Sequence, residues 1–367
     1  MSGRVQRAHP TQTRALPGHV VRAPGLHRLS VRPDRWCTAD GEPVQDPETR
    51  RRLAALAVPP AWTHVWASAE PDAPVQATGI DRRGRTQYRY STAARQAAAE
   101  HKFAEVLAFA RVLPTLRARV QDDLVRRGTD DHVEVRRVVA TAVRLLDRGL
   151  FRIGNDRYEQ ENHTYGLTTL LRDHVQVVGD RIVVDHVGKE HVRHHVVVDD
   201  HDAAVVVASL LRQERGPGEH LFAVPGPGGW RRVDSASVNS YLHAFGGRAV
   251  TAKVFRTWGA TSAVVAVLAG APVPDGIRVH RDPVLVAYEV AADLLGNTPE
   301  VARGAYVHPA APLVGRHVAV RTVVAAALHD RPASGLEQVV RDVRFHEVVL
   351  RAFAECAESV EGGADPR

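Results

Sequence analysis

Lysine is nearly missing from this chain of 367 residues. Only Lys102, Lys189 and Lys253 stand among 48 basic residues, and the rest are arginine. A G+C-rich genome favours codons for Arg, Ala, Val, Gly and Pro, and accounts for the trend. Under that pressure the surviving lysines are enriched where arginine does not serve, because an ammonium is compact and can release its proton. Cysteine is scarcer still. Cys37 and Cys356 lie far apart, which excludes a disulfide framework or a paired metal site. A reducing, cytoplasmic compartment is expected. No apolar run approaches the roughly 18 residues of a membrane span. The opening MSGRVQRAHPTQTRALPGHVVRAPG lacks an apolar signal core, so neither secretion nor a membrane partner is expected. Also absent are a P-loop, a G-x-G-x-x-G after a strand, H-E-x-x-H, G-x-S-x-G and an acidic cluster suited to two-metal chemistry.

What the chain has is positive charge. The net charge is +6 and the pI near 9.7, with 20 histidines besides. A basic balance favours polyanionic partners, nucleic acid first. With 44% hydrophobic residues the chain can bury a core, and its length predicts two or three domains.

The pattern divides into four stretches. Residues 1–25 are a basic leader without periodicity, read as disordered: an auxiliary nucleic-acid contact or an inert tail. Residues 26–91 read as β-rich. LHRLSV and RWCTAD form a hairpin, 47–57 a short helix ended by Pro59 and Pro60, and WTHVWAS, PVQATGID and RTQYRYS three further strands, the last two joined through D-R-R-G. Residues 92–312 are mainly helical, with three strands between 174 and 200 and a Gly/Pro-rich loop at 224–229. Residues 313–367 form a helical extension, with a final helical stretch over roughly 317–358. The fold class is α+β: a small β-rich N-terminal domain and a larger, mainly α domain holding a small three-stranded antiparallel sheet.

The densest histidine group, H-V-R-H-H at 191–195, could bind zinc. On a strand, however, His191 and His195 share one face and His194 the other, which fits a solvated strand better. No metal site and no cofactor are expected. The informative residues are cationic or aromatic and sit beside turns and helix starts. F-R-I-G-N-D-R-Y places Arg152 ahead of a glycine turn. V-G-K-E puts Lys189 at a hairpin tip. T-A-K-V-F-R-T-W-G sets Lys253 and Arg256 at i and i+3 on one helical face, and L-G-N-T-P-E-V-A-R-G-A-Y offers Asn297 and Tyr306. Such a set suits phosphoryl transfer without metal. Guanidinium forks match phosphate oxygens, lysine can protonate a leaving oxygen, and tyrosine can be a covalent nucleophile.

These blocks, together with V-P-P-A-W-T-H-V-W, Q-A-T-G-I-D-R-R-G-R-T-Q-Y-R-Y and G-L-T-T-L, occur in an order that resembles the type IB DNA topoisomerases of the bacterial and poxvirus-like branch. The likeness covers about 26 to 310. It implies a monomeric, nucleoid-associated enzyme that clamps double-stranded DNA between an N-terminal DNA-binding domain (26–91) and a catalytic domain (92–312). Such an enzyme relaxes supercoils by transient single-strand cleavage and religation through a 3′-phosphotyrosine, without ATP or metal. Position by position, the resemblance makes Tyr306 the nucleophile, has Arg152 and Arg256 contact the non-bridging oxygens, and makes Lys189 the general acid. Asn297 stands where many members have histidine. Gln87, Tyr88, Tyr90, Tyr158 and Lys253 would contact DNA. The leader and the stretch after about 312 lie outside the likeness.

Two rivals share parts of this pattern. A tyrosine recombinase would usually carry histidine three residues before the second arginine, where this chain has Lys253, and would have a shorter interval than the 50 residues from Arg256 to Tyr306. A non-catalytic DNA clamp would not need Arg152, Lys189, Arg256 and Tyr306 together.

Overall fold

The computed structural model describes residues 25–126, 131–215, 219–226, 228–247, 250–278, 280–330 and 335–361. The basic leader up to 24 therefore lies outside the described residues, as do Pro227 and 331–334. The chain divides into two compact units, Met1–His101 and Lys102–Arg367.

The first unit is built on a five-stranded antiparallel sheet in the order β2-β1-β3-β4-β5, with β1 Gly25–Val31, β2 Asp34–Thr38, β3 Thr63–Ser68, β4 Val75–Ile80 and β5 Thr86–Tyr90. Helix α1 (Pro47–Ala55) starts with proline at its first turn, and the Asp46 carboxylate accepts the Thr49 N–H at 2.7 Å. Its Leu53 joins Leu26, Trp36, Val65, Ala67 and Ala77 in a small core. The β4–β5 hairpin is tied by Asp81, whose Oδ1 accepts the N–H groups of Arg83 and Arg85 at 2.9 Å each. Those bonds and the Arg85 guanidinium pull the Asp81 carboxyl down to about 2. Gly84 takes the left-handed φ of +73° that this turn needs. Strand β5 is thereby fixed at the sheet edge.

The second unit is centred on α7 (Ala252–Leu268), buried almost all round its circumference, as a helix in the middle of a core must be. The preceding elements are α2 (Thr92–Val125), α3 (Asp131–Gly149), α4 (Asp156–Asn162), the antiparallel sheet β6 Val175–Val178, β7 Arg181–Val187 and β8 Arg193–Asp199, then α5 (His201–Arg212), the pair β9 Ala223–Gly226 and β10 Gly229–Arg232, and α6 (Ser235–Gly246). After α7 come α8 (Pro283–Leu295), α9 (Pro299–Ala305), α10 (Ala311–Val314), α11 (Val318–Asp330), α12 (Leu336–Arg341) and α13 (Val343–Glu361). The whole is mixed α and β, with an N-terminal sheet and a mostly helical larger unit.

Two local expectations change. The stretch 224–229, expected to be a loop, carries the end of β9 and the start of β10, which pair as a ribbon with Trp230 opposite Pro225. A ribbon has a free edge on both sides, so a proline that would disrupt a central strand is tolerated. In the C-terminal stretch α12 ends at Arg341, and Asp342, in extended backbone, separates it from α13. His191 does not lie on a strand. It closes a 3-10 turn, Lys189–His191, in which Glu190 and His191 have φ of +66° and +60°. The shared strand face expected for His191 and His195 therefore does not exist.

Candidate active site

Each candidate side chain of the second unit is carried by a turn whose shape its neighbours dictate. Arg152 lies in the stretch between α3 and α4. Leu167 N–H donates to Arg152 O and Thr168 N–H to Ile153 O, both at 2.8 Å, and the Thr168 hydroxyl also reaches Ile153 O. Gly166 packs so closely that a Cβ there would lie 2.5 Å from Gly154 N and 2.6 Å from Arg152 O. The G-L-T-T-L segment is thus the splint of the arginine loop. Asn155 then caps α4 by accepting Arg157 N–H at 3.0 Å.

Asn297 is placed by two adjacent helix ends. Gly296 ends α8 in the left-handed conformation, and Asn297 N–H returns to Ala292 O at 2.9 Å. Thr298 caps α9 and Pro299 begins it. The run L-G-N-T-P therefore stops one helix, presents one amide side chain and starts the next. Tyr306 ends α9, its N–H donating to Ala302 O at 2.9 Å.

Arg256, only 4% exposed on α7, holds the parts together. Its Nη1 donates to Leu150 O and its Nη2 to Leu295 O at 2.8 Å, the carbonyls two residues before Arg152 and Asn297 respectively. Its guanidinium carbon lies 5.3 Å from the centre of the Tyr306 ring. Burial, and then the neighbouring Arg152, push its pKa down to about 10, so it stays charged at neutral pH. Arg152 Nη2 donates to Asn297 Oδ1 at 2.7 Å. Since arginine only donates, the amide oxygen must face it, which leaves Asn297 Nδ2 as a spare donor. Both Asn297 Nδ2 and Arg256 Nε are buried without a hydrogen-bond partner among the described residues. A buried unsatisfied donor costs about 1–3 kcal/mol, so these two, one an amide and one on the Arg256 guanidinium, with Arg152 beside them, suit an anion. Arg152 and Arg256 border a cavity of about 540 Å³ rather than packed side chains.

Arg152, Arg256, Asn297 and Tyr306 are thus brought together. Lys189 is not. Its side chain is 70% exposed and lies 3.7 Å from Glu190. Lys253 is exposed at the start of α7, and Arg256, one turn further on, is buried. Tyr158 is exposed on α4. In the first unit, Tyr88 and Tyr90 stack at 5.9 Å on one face of β5. Gln87 alternates to the other face and donates to Asp81 Oδ2 at 2.9 Å.

Two further histidines sit in the site. His194, on β8, has Nε2 3.5 Å from Arg152 Nη1, and its ring stacks on its cross-strand partner His186 at 5.2 Å. Burial first, then His194, push His186 down to about 4. Burial, then Arg152 and Arg256, lower His194. The signal was present in the sequence as register: a turn at Gly188–His191 pairs position 186 with 194. Lys102 was singled out by composition alone. Its Nζ donates to Ala305 O at 2.8 Å, directly before Tyr306, and lies 4.1 Å from the Phe103 ring.

The family model of the eukaryotic DNA topoisomerase I catalytic core matches residues 91–304, and that of the bacterial DNA topoisomerase IB N-terminal domain matches 35–81. The chain belongs to the type IB DNA topoisomerases. It is similar to DNA topoisomerase 1B of Acanthamoeba polyphaga mimivirus, 27% identical over 264 residues covering 70% of this chain and 76% of the viral one. It is also similar to DNA topoisomerase 1B of Vaccinia virus (strain Copenhagen), 25% identical over 239 residues, 62% of this chain and 68% of that protein. DNA topoisomerase 1 of Mycosarcoma maydis is 28% identical over 168 residues, 41% of this chain and 16% of that protein. As a DNA topoisomerase the protein acts on DNA. Among the described residues no helix is long and apolar enough to cross a membrane.

Proposed function

We propose that the protein relaxes supercoiled duplex DNA by cutting and resealing one strand through a covalent bond between Tyr306 and a 3′-phosphate. The observation that carries this reading is the convergence of Arg152, Arg256 and Asn297, with two buried unpartnered donors, on the turn that bears Tyr306. In the cleavage step Tyr306 Oη loses its proton to water and attacks the phosphorus, forming the Oη–P bond as the bond to the 5′ oxygen breaks. Charge develops on the non-bridging oxygens, where preplaced guanidinium and amide donors stabilise it most. The departing 5′ alkoxide is a poor leaving group and takes a proton from Lys189 Nζ. That role requires Lys189 to leave Glu190. An exposed ion pair is worth roughly 0–1 kcal/mol, so a phosphate competes easily for the ammonium. In religation the 5′ hydroxyl, giving its proton back to Lys189, attacks the phosphorus and Tyr306 leaves, so the phosphotyrosine bond replaces ATP as the source of energy for resealing.

In this reading the first unit holds the duplex through Tyr88 and Tyr90, with Gln87, Tyr158 and Lys253 as further contacts, and the protein works as a monomer. The charges supplied by Arg152 and Arg256 stand where a divalent ion would act in a metal-dependent phosphoryl transfer. Relaxation of a supercoiled plasmid in excess EDTA and without ATP tests the reading. Retained activity is expected. Activity lost in EDTA and restored by Mg²⁺ would overturn the metal-free mechanism.

A further inference from the structure

His194 belongs to no role assigned so far, yet its ring meets three parts of the site at once. One edge lies on Gly188, the residue before Lys189: a Cβ there would fall 2.5 Å from His194 Cδ2. The opposite edge lies on Gly296, the residue before Asn297, where a Cβ would fall 2.3 Å from Cε1. Only glycine admits the ring on both sides. The third contact is Nε2, 3.5 Å from Arg152 Nη1. We propose that His194 is a positioning residue of the cleavage site, setting the Lys189 turn and the Asn297 turn in register with Arg152. The inference rests on the function proposed above.

The electrostatics fit a neutral ring. The groups that face it are Arg152 from the stretch after α3, Arg256 from α7 and His186 from β7. None of these is a carboxylate. Arginine cannot accept a hydrogen bond, so Nε2 must offer its lone pair and the proton must sit on Nδ1. Protonation would put a third positive charge beside two guanidiniums and turn an acceptor toward Arg152 into a donor. The contact is long for a hydrogen bond, so its value lies in orientation more than in binding energy.

The test is the single-turnover cleavage rate on a nicked-product suicide duplex across pH, with duplex affinity measured in parallel, for the wild type, His194→Ala and His194→Gln. Misplacing a reacting group by about 1 Å costs on the order of 100-fold, so His194→Ala should cleave about 10- to 100-fold more slowly at unchanged affinity. Glutamine offers an acceptor that does not titrate. His194→Gln should recover most of that loss and lose the part of the acid-side decline that His194 protonation causes in the wild type. Wild-type rates in His194→Ala would overturn the inference. So would equal slowing in both variants with the wild-type pH profile kept, since that outcome means the ring merely fills space. A wild type that forms no covalent adduct would instead refute the proposed function, and this inference with it.

Discussion

Arg256 and Lys189 carry the same formal charge and occupy opposite environments, a difference that suits the separate roles proposed for them. Arg256 is locked to two backbone carbonyls and cannot travel. Lys189 is exposed on a turn and can. A fixed cation suits stabilisation of charge in the transition state, and a mobile ammonium suits delivery of a proton. Lys189→Ala should therefore slow cleavage of ordinary DNA by roughly 10²- to 10⁴-fold. A substrate with sulfur in the 5′ bridging position has a good leaving group and should restore much of the rate. Equal slowness on both substrates would remove Lys189 as the acid. Two buried histidines make a separate prediction. His186 and His308 are pushed down to about 4, in both cases chiefly by burial, against an ordinary 6.5. Between those values the unfolded chain binds protons that the folded one refuses, so stability is full above about 6.5 and lost as pH falls toward 4. The melting temperature should drop across that window, and less in His308→Gln. An unchanged slope in that variant would mean that His308 is not one of the groups responsible.

Among the elements, α9 and the turn after it matter most, because they hold Tyr306. Three ties surround that turn. Lys102 on α2 bonds Ala305 O, Thr261 on α7 donates to Tyr306 O at 3.3 Å and accepts His308 N–H at 3.1 Å, and the His308 ring lies between Phe103 and Phe353 at 5.0 and 4.7 Å. Phe353 belongs to α13, which also seats His346 against Trp258 and Ala110 O. The C-terminal helices thus buttress the turn that carries Tyr306. Lys102→Met keeps the stem over Phe103 but drops the bond to Ala305. It should slow cleavage about 10-fold at unchanged duplex affinity. Phe353→Ala should cost about 3–5 kcal/mol in chemical denaturation. An undisturbed cleavage rate in the first variant, or a loss below 1 kcal/mol in the second, would count against the buttress.

Much of this was legible where the determinants are local. L-G-N-T-P spells a helix stop and a helix start in five residues, D-R-R-G spells a turn, and alternation marks β3, β4 and β5. Arg256 and the three residues gathered around it, Arg152, Asn297 and Tyr306, were named from the order of such segments. What escaped depends on pairing between distant segments. His194 reads as a strand residue until its partner His186 and the two flanking glycines are placed. Lys102 is 203 positions from the carbonyl it holds. Residues 224–229 read as a loop because proline and glycine density says nothing about which chain lies alongside.

For the molecule as a whole, charge and covalent chemistry are separable. A basic chain that neutralises phosphates releases condensed counterions, so duplex affinity should fall linearly on a log–log salt plot with a slope of about −0.9 per phosphate contact. Tyr306→Phe should keep that slope, because it removes only the attacking oxygen. A flat salt dependence would contradict binding through the phosphate backbone. The most direct test of the central claim is the identity of the covalent bond itself. The protein is incubated with plasmid, quenched with denaturant and digested with nuclease and protease, and the nucleotide-bearing peptide is sequenced by mass spectrometry. The account predicts a nucleotide attached through its 3′-phosphate to Tyr306, and no adduct from Tyr306→Phe. Attachment to another residue, attachment through a 5′-phosphate, or an adduct that survives Tyr306→Phe would contradict it.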